Sequence, residues 1–146
     1  MILIADTSGL IASSDQRSPT ATDCREALNS AGTVIVSPLV LAEVDHLARK
    51  RFGAAGRTAM IAAIREQAHH RRFQIPEITV SLLDIAQTVQ HRYSALDLDL
   101  ADAVNVTLAS HYRTDAVLTL DYRDFRAIQP LTAHPAFRLY PADAPA

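Results

Sequence analysis

The chain opens Met1-Ile2-Leu3-Ile4-Ala5-Asp6, an apolar run that ends on a carboxylate. A run without alternation makes a strand that must be covered on both sides, the mark of an inner strand in a parallel sheet. Val34-Ile35-Val36 and Val117-Leu118, inside the segment from Ala116 to Leu120, repeat the pattern. Between them lie stretches with helical spacing: Cys24, Ala27, Leu28 and Ala31; Val40, Val44, Leu47 and Ala48; Ala59, Ala62, Ala63 and Ile64; Leu82, Ile85, Ala86 and Val89. A further helix is expected from about Ala101 to His111. Strands alternating with helices predict an α/β fold on a parallel sheet. Ser37-Pro38 suits a helix start, with the serine placed to cap and the proline in the first turn, where its missing N–H does no harm. Pro76 separates a short strand, Arg72 to Ile75, from the next helix, and Phe137 to Tyr140 supplies a last strand.

A length of 146 residues fits one domain, expected over residues 1–141 with a flexible tail over 142–146. With 49% of residues apolar and 21% charged, the chain can build a core and is far from the profile of disorder. Cys24 is the single cysteine, so neither an intrachain disulfide nor a cysteine-based zinc site is expected, and a reducing cytoplasm is the expected location. Asp6 cuts the first apolar run far short of a signal peptide or a membrane span, so no membrane association is expected. The net charge of -2 does not announce a nucleic-acid binder, and its distribution is more telling than the sum. From Arg49 to Arg72 seven basic residues stand against the single Glu66. Lys50 is the chain's only lysine.

Open parallel sheets bind ligands beyond the carboxyl ends of their strands. Asp6 follows the first strand, Asp121 follows the segment from Ala116 to Leu120, Glu43 lies in the second turn of the helix starting at Pro38, and Asp102 lies in the first turn of its helix. Each has a plainer role: Asp6 as a cap or turn former, Asp102 as an anion on the helix dipole, Asp121 as a cap of a short helix from Tyr122 to Phe125, Glu43 as a solvated side chain. Asp99, three residues before Asp102, makes a sensible N-cap. The reading rests on the set. Clustered carboxylates repel by ~1 kcal/mol per pair at 4 Å in water and ~4 at an effective dielectric of 20, so they need cations or protons. An all-oxygen set selects hard divalent ions, Mg²⁺ or Mn²⁺, one or two of them, and such ions assist phosphodiester hydrolysis by activating water and steadying the leaving oxygen.

Four segments carry a family resemblance: Ala5-Asp6-Thr7-Ser8-Gly9-Leu10-Ile11-Ala12, Ser37-Pro38-Leu39-Val40-Leu41-Ala42-Glu43-Val44, Leu98-Asp99-Leu100-Ala101-Asp102-Ala103 and Leu118-Thr119-Leu120-Asp121-Tyr122-Arg123-Asp124-Phe125. In their order and spacing the sequence resembles a PIN-domain ribonuclease, and within that family the VapC toxins of bacterial toxin–antitoxin pairs. The resemblance implies a three-layer α/β/α sandwich with a central parallel β-sheet. It also implies a Mg²⁺- or Mn²⁺-dependent endoribonuclease that cleaves transfer or ribosomal RNA, homodimerisation, and inhibition by a cognate VapB-type antitoxin in a hetero-oligomer. By motif position Asp6, Glu43, Asp102 and Asp121 take the catalytic, metal-binding roles, Ser8 and Thr119 supply hydroxyls beside them, and Asp124 is an auxiliary acid. The sequence departs from many relatives at Ala95, where an acid is common, leaving Asp97 or Asp99 to replace it. The basic residues Arg49, Lys50, Arg51, Arg57, Arg71 and Arg72 are then expected to bind the RNA backbone, with strong salt dependence; a solvated helix face is the plainer alternative. An aromatic content of 5% with no tryptophan argues against a base-stacking platform.

Other patterns lead elsewhere and are set aside. Glu43-x-x-His46 has the spacing of di-iron bundles but no second copy. Asn105-Val106-Thr107 matches a glycosylation acceptor inside an expected helix. Gly53-Ala54-Ala55-Gly56-Arg57-Thr58 is too short for a phosphate loop and lacks its lysine, so a turn between two helices is expected there. The histidines, His69-His70 included, are expected at the surface, and Cys24 in the core. Haloacid-dehalogenase-like phosphatases and receiver domains both need a lysine late in the chain, and Lys50 lies early. The competing class is a non-catalytic PIN scaffold that binds RNA or an antitoxin.

Overall fold

A computed structural model describes all 146 residues. β1 (Ile2–Ala5), α1 (Thr7–Ser14), α2 (Ala21–Ser30), β2 (Thr33–Ile35), α3 (Pro38–His69), β3 (Phe73–Gln74), α4 (Val80–Arg92), a 3₁₀ turn (Ser94–Leu96), α5 (Leu100–His111), β4 (Ala116–Leu118), α6 (Tyr122–Ala127) and β5 (Arg138–Tyr140) follow in order. The five strands form one parallel sheet in the order β3-β2-β1-β4-β5. β1 is the middle strand of the five, pairing Leu3 with Val34 on the β2 side and Ala5 with Leu118 on the β4 side.

Successive strand residues enter opposite layers, as a pleated strand requires. Leu3, Ala5, Val34, Val36 and Leu118 pack with α1, α2 and α3 through Leu10, Cys24, Val40 and Val44. Ile4, Ile35, Val117 and Leu139 face the other way, onto α4, α5 and α6 through Val89, Val104, Leu108 and Phe125. Both faces are dry, which explains the unbroken apolar runs, and the result is a three-layer α/β/α sandwich. No helix is long and apolar enough to cross a membrane.

Caps at Ser37 and Asp99 behave as expected: Ser37 accepts the Leu39 N–H at 3.1 Å, and Asp99 accepts the Asp102 N–H at 2.8 Å. Gly53 turns α3 through a left-handed residue (φ 78°), a conformation in which glycine has no steric penalty. Cys24 is buried, and all six histidines keep solvent access, five of them exposed.

Several expectations need correction. No helix was expected at residues 7–14, yet α1 lies there, buried on nearly every side and so without an amphipathic period. In the second half of α3 the inward residues are Met60 and Ile64, while Ala59, Ala62 and Ala63 are exposed. Ile85 and Leu47 also face outward. The strand expected over Arg72 to Ile75 shrinks to Phe73–Gln74, and Phe137 precedes its strand. Within the tail expected to be free, Asp143 is tied down. It accepts from Arg126 at 2.6 and 2.7 Å and from the Leu139 N–H at 2.7 Å, and the Arg126 contact pulls its carboxyl down to about 2.

Candidate active site

The carboxyl ends of β1 and β4 lie side by side, so the residues that follow them, Asp6 and Thr119, meet. The Asp6 N–H donates to the Leu118 carbonyl at 2.9 Å, and the Thr119 N–H to that of Tyr140 at 3.0 Å, which continues the sheet up to the site. Asp6 is buried at 6% exposure and caps α1, its Oδ1 accepting the Thr7 N–H at 2.9 Å. Its Oδ2 accepts the Thr119 hydroxyl at 2.8 Å and the Ser8 hydroxyl at 3.4 Å. Thr119 Oγ1 in turn accepts the Asp121 N–H at 2.9 Å, and Ser8 Oγ accepts the Leu120 N–H at 2.9 Å. One hydroxyl network thus fixes the first acid and the backbone that carries the fourth.

Gly9 permits this closeness. A Cβ there would stand 2.5 Å from the Leu118 Cγ and 3.0 Å from its carbonyl oxygen, so α1 can lie against β4 only because residue 9 has no side chain. Glu43 comes from the second turn of α3, where its Oε1 accepts the Thr7 hydroxyl at 3.1 Å. Asp102 comes from the first turn of α5.

Asp6, Ser8, Glu43, Asp99, Asp102 and Asp121 line one cleft of about 400 Å³, with Arg51 the single cationic side chain on its wall. Asp124 joins from α6: carboxylate oxygens of Asp102, Asp121 and Asp124 lie within 4.8 Å of one another. Asp99 thus does double duty as cap and cleft wall. Asp97, the alternative to it, is exposed on a left-handed residue that lines a different hollow, beside His91.

The electrostatics follow from this crowding. Burial, then the charges of Asp6, Asp99, Asp121 and Glu43, push the Asp102 carboxyl up to about 8. Asp6 is more deeply buried yet rises only to about 6, because hydrogen bonds from Thr119 and Thr7 oppose the desolvation. Asp102 receives no such donor. Glu43 and Asp121 are raised as well, each by burial first, with Asp99 adding to Glu43 and Asp124 adding to Asp121. A set of hard oxygen donors, short of cations and reluctant to carry its charge alone, suits Mg²⁺ or Mn²⁺.

The basic stretch divides. Arg51 reaches the cleft, its guanidinium making a loose 3.7 Å contact with Asp15, and Arg49 and Lys50 are exposed beside it. Arg57 lies 3.7 Å from Asp45. Arg71 is exposed at the far end of α3, about 24 Å of helix beyond the turn at Gly53. Arg72, expected to contact RNA, instead donates to the carbonyls of Ala31 at 2.8 Å and Leu28 at 3.0 Å, closing the end of α2. Those carbonyls lie some forty residues upstream, so this structural role leaves no local signal in the sequence. Sequence reasoning also missed Thr7, Gly9 and Asn105. Asn105 had a faint signal, an amide three residues after Asp102 and flanked by Val104 and Val106.

A doubly covered parallel sheet whose carboxyl edge gathers acids from four elements defines an α/β/α domain with an acidic cleft. The PIN domain family model matches residues 3–129, and the chain belongs to the PIN-domain family. Within it the chain is of VapC type: it is 35% identical over 130 residues to Ribonuclease VapC26 of Mycobacterium tuberculosis, spanning 88% of this chain and 93% of that protein. Among solved structures, the sarcin–ricin loop cleaving toxin VapC20 of M. tuberculosis superposes with a TM-score of 0.73 at 20% identity, covering 83% of this chain and 91% of its own. VapBC2 from Rickettsia felis, bound to a DNA fragment from its promoter, gives 0.67 at 15% identity, covering 90% and 96%. A toxin–antitoxin complex from Klebsiella pneumoniae gives 0.64 at 20%, covering 92% and 98%.

Proposed function

We propose that this chain is the toxin of a toxin–antitoxin pair, a Mg²⁺- or Mn²⁺-dependent endoribonuclease that cleaves transfer or ribosomal RNA and so arrests translation and growth. The observation that carries the reading is the single cleft shared by Asp6, Glu43, Asp102 and Asp121, four acids from four separate segments of the chain. Asp6 and Asp102 would be the main anchors for the cation, with Glu43 and Asp121 completing the set and Asp124 assisting. When bound, the ion would lower the pKa of a water and offset charge on the phosphodiester. The remaining work falls to the chain. Thr119 and Ser8 hold Asp6 in one orientation, Thr7 does the same for Glu43, and the Asp99 cap fixes the first turn of α5 beneath Asp102. Arg51 is placed to meet a phosphate entering between the acids, and Arg49 and Lys50 extend that contact along the backbone.

A VapB-type antitoxin as partner is supported by the toxin–antitoxin complexes among the similar folds. Homodimerisation and a cytoplasmic location belong to the same proposal. The test is direct. Purified protein with Mn²⁺ should cut cellular RNA at discrete sites, mapped as new 5′ ends, and chelator or Asp6→Asn should stop it. Intact RNA with Mn²⁺ present and RNA still bound would turn the reading into that of a non-catalytic scaffold.

A further inference from the structure

α5 presents two polar side chains one turn apart toward the acids, Asp102 and Asn105. Asn105 has no exposed surface, on a helix whose other inward residues include Ala103, Val104, Val106 and Leu108. Its Nδ2 lies 3.5 Å from Asp6 Oδ1, and its own Oδ1 has no hydrogen-bond partner. Thr107, the neighbouring buried polar residue, differs: its hydroxyl is satisfied within the helix by the Ala103 carbonyl at 2.9 Å. A buried amide with half of its capacity unmet is disfavoured against leucine, which has nearly its shape. Such an amide persists where it serves a neighbour, and the neighbour here is Asp6.

We propose that Asn105 is a positioning residue for the acid centre, its side-chain amide holding Oδ1 of Asp6 and so setting the spacing between Asp6 and Asp102 that a divalent cation needs. Asp6 has four donors around it. Thr7 and Ser8 belong to α1 and Thr119 follows β4; Asn105 alone comes from α5, the helix that carries Asp102. It is the one hydrogen-bonding tie between the elements bearing the two acids, which otherwise repel each other. At 3.5 Å the contact is at the long end of the hydrogen-bond range. The inference rests on the divalent-cation reading above.

The experiment is Mn²⁺ titration of the full chain by calorimetry, alongside RNA cleavage and thermal melting. Asn105→Leu should weaken Mn²⁺ binding by about 10 to 100-fold, the range for losing an outer partner of a metal ligand. kcat should fall in the same range with KM for RNA unchanged, while the melting temperature holds or rises. Asn105→Ser, which restores a donor of shorter reach, should recover part of the Mn²⁺ affinity. If the leucine variant does not fold, Asn105→Ser against Asn105→Ala makes the same comparison, with serine binding Mn²⁺ more tightly. Unchanged Mn²⁺ affinity in a folded leucine variant, or equal affinity in the serine and alanine pair, overturns the inference and leaves the ribonuclease reading intact. A wild-type chain that binds Mn²⁺, loses affinity on Asn105→Leu and never cuts RNA supports the inference while defeating that reading.

Discussion

The two edges of the sheet treat buried acids in opposite ways. At the amino edge, Asp115 precedes β4 and meets Arg138 at the start of β5, which reaches both of its oxygens at 2.7 to 3.0 Å. Against the burial that would raise it, those guanidinium contacts hold its carboxyl below the ordinary range. At the carboxyl edge, Asp6, Glu43, Asp102 and Asp121 crowd together with Arg51 as their only cationic wall, and all four are raised. One fold thus gives Asp115 a guanidinium in direct contact and leaves the four cleft acids without one, since Arg51 on their wall pairs with Asp15. A folded state that keeps uncompensated charge in this way gives up stability for function.

The largest effect should follow from removing an acid at the carboxyl edge. Asp6→Asn and Asp102→Asn should each lower Mn²⁺-dependent RNA cleavage by more than about 100-fold, beyond what losing an outer partner does, with the cation-free melting temperature of Asp102→Asn equal to or above wild type. A fall in both would mean that Asp102 is structural.

The second prediction concerns pH. Asp102 and Asp6 have folded values near 8 and 6 against an ordinary 3.8, so between those limits the folded chain binds more protons than the unfolded one, and stability declines as pH rises. Asp115 and Asp143 are lowered, so their contribution is present above the ordinary value and is lost as pH falls below it. Scanning calorimetry in chelator should therefore find the melting temperature falling from about pH 5 to pH 8, a slope that Mn²⁺ and Asp102→Asn should each flatten. A melting temperature that rises over that range would contradict the raised values.

Third, Asp115→Ala should lower the melting temperature by about 3 °C, equivalent to roughly 1 kcal/mol for a pair whose arginine is half-exposed, in a chain of this size, and leave cleavage by the folded fraction unchanged. A matching loss of activity would mean that the two edges are coupled. The smallest effect is expected from Arg51→Ala: RNA binding weaker by about fivefold and a salt slope shallower by about one, as for a single phosphate contact. An unchanged slope would place the RNA elsewhere.

Much of the scaffold was legible because its signals are local. Ile2 to Ala5 reads as a doubly buried strand, Ser37-Pro38 as a helix start and Asp99 as a cap, each from a few adjacent residues. The acids at 6, 43, 102 and 121 were legible as ends of elements, and the order of the strands then brings them to one cleft. What stayed hidden depends on distant partners. α1 is covered on nearly all sides and so has no polar face to mark it. Arg72 reads as one more cation until α2 is folded against it, and Asn105 reads as a sequon until Asp6 is placed beside it. Gly9 looks incidental until β4 comes within a methyl group of it.

The hydroxyl of Thr119 ties Asp6 to the backbone of Asp121, and it can do so only while Ala5 lies opposite Leu118. Sliding β4 by one position would turn Thr119 to the opposite layer and bring Leu118 or Leu120 toward the acids in its place. Insertions should therefore be tolerated unevenly along this chain. An extra residue in the long connection from α6 to β5 changes only a loop, whereas one extra residue inside β4 dismantles the cup in a single step, with no half-working intermediate.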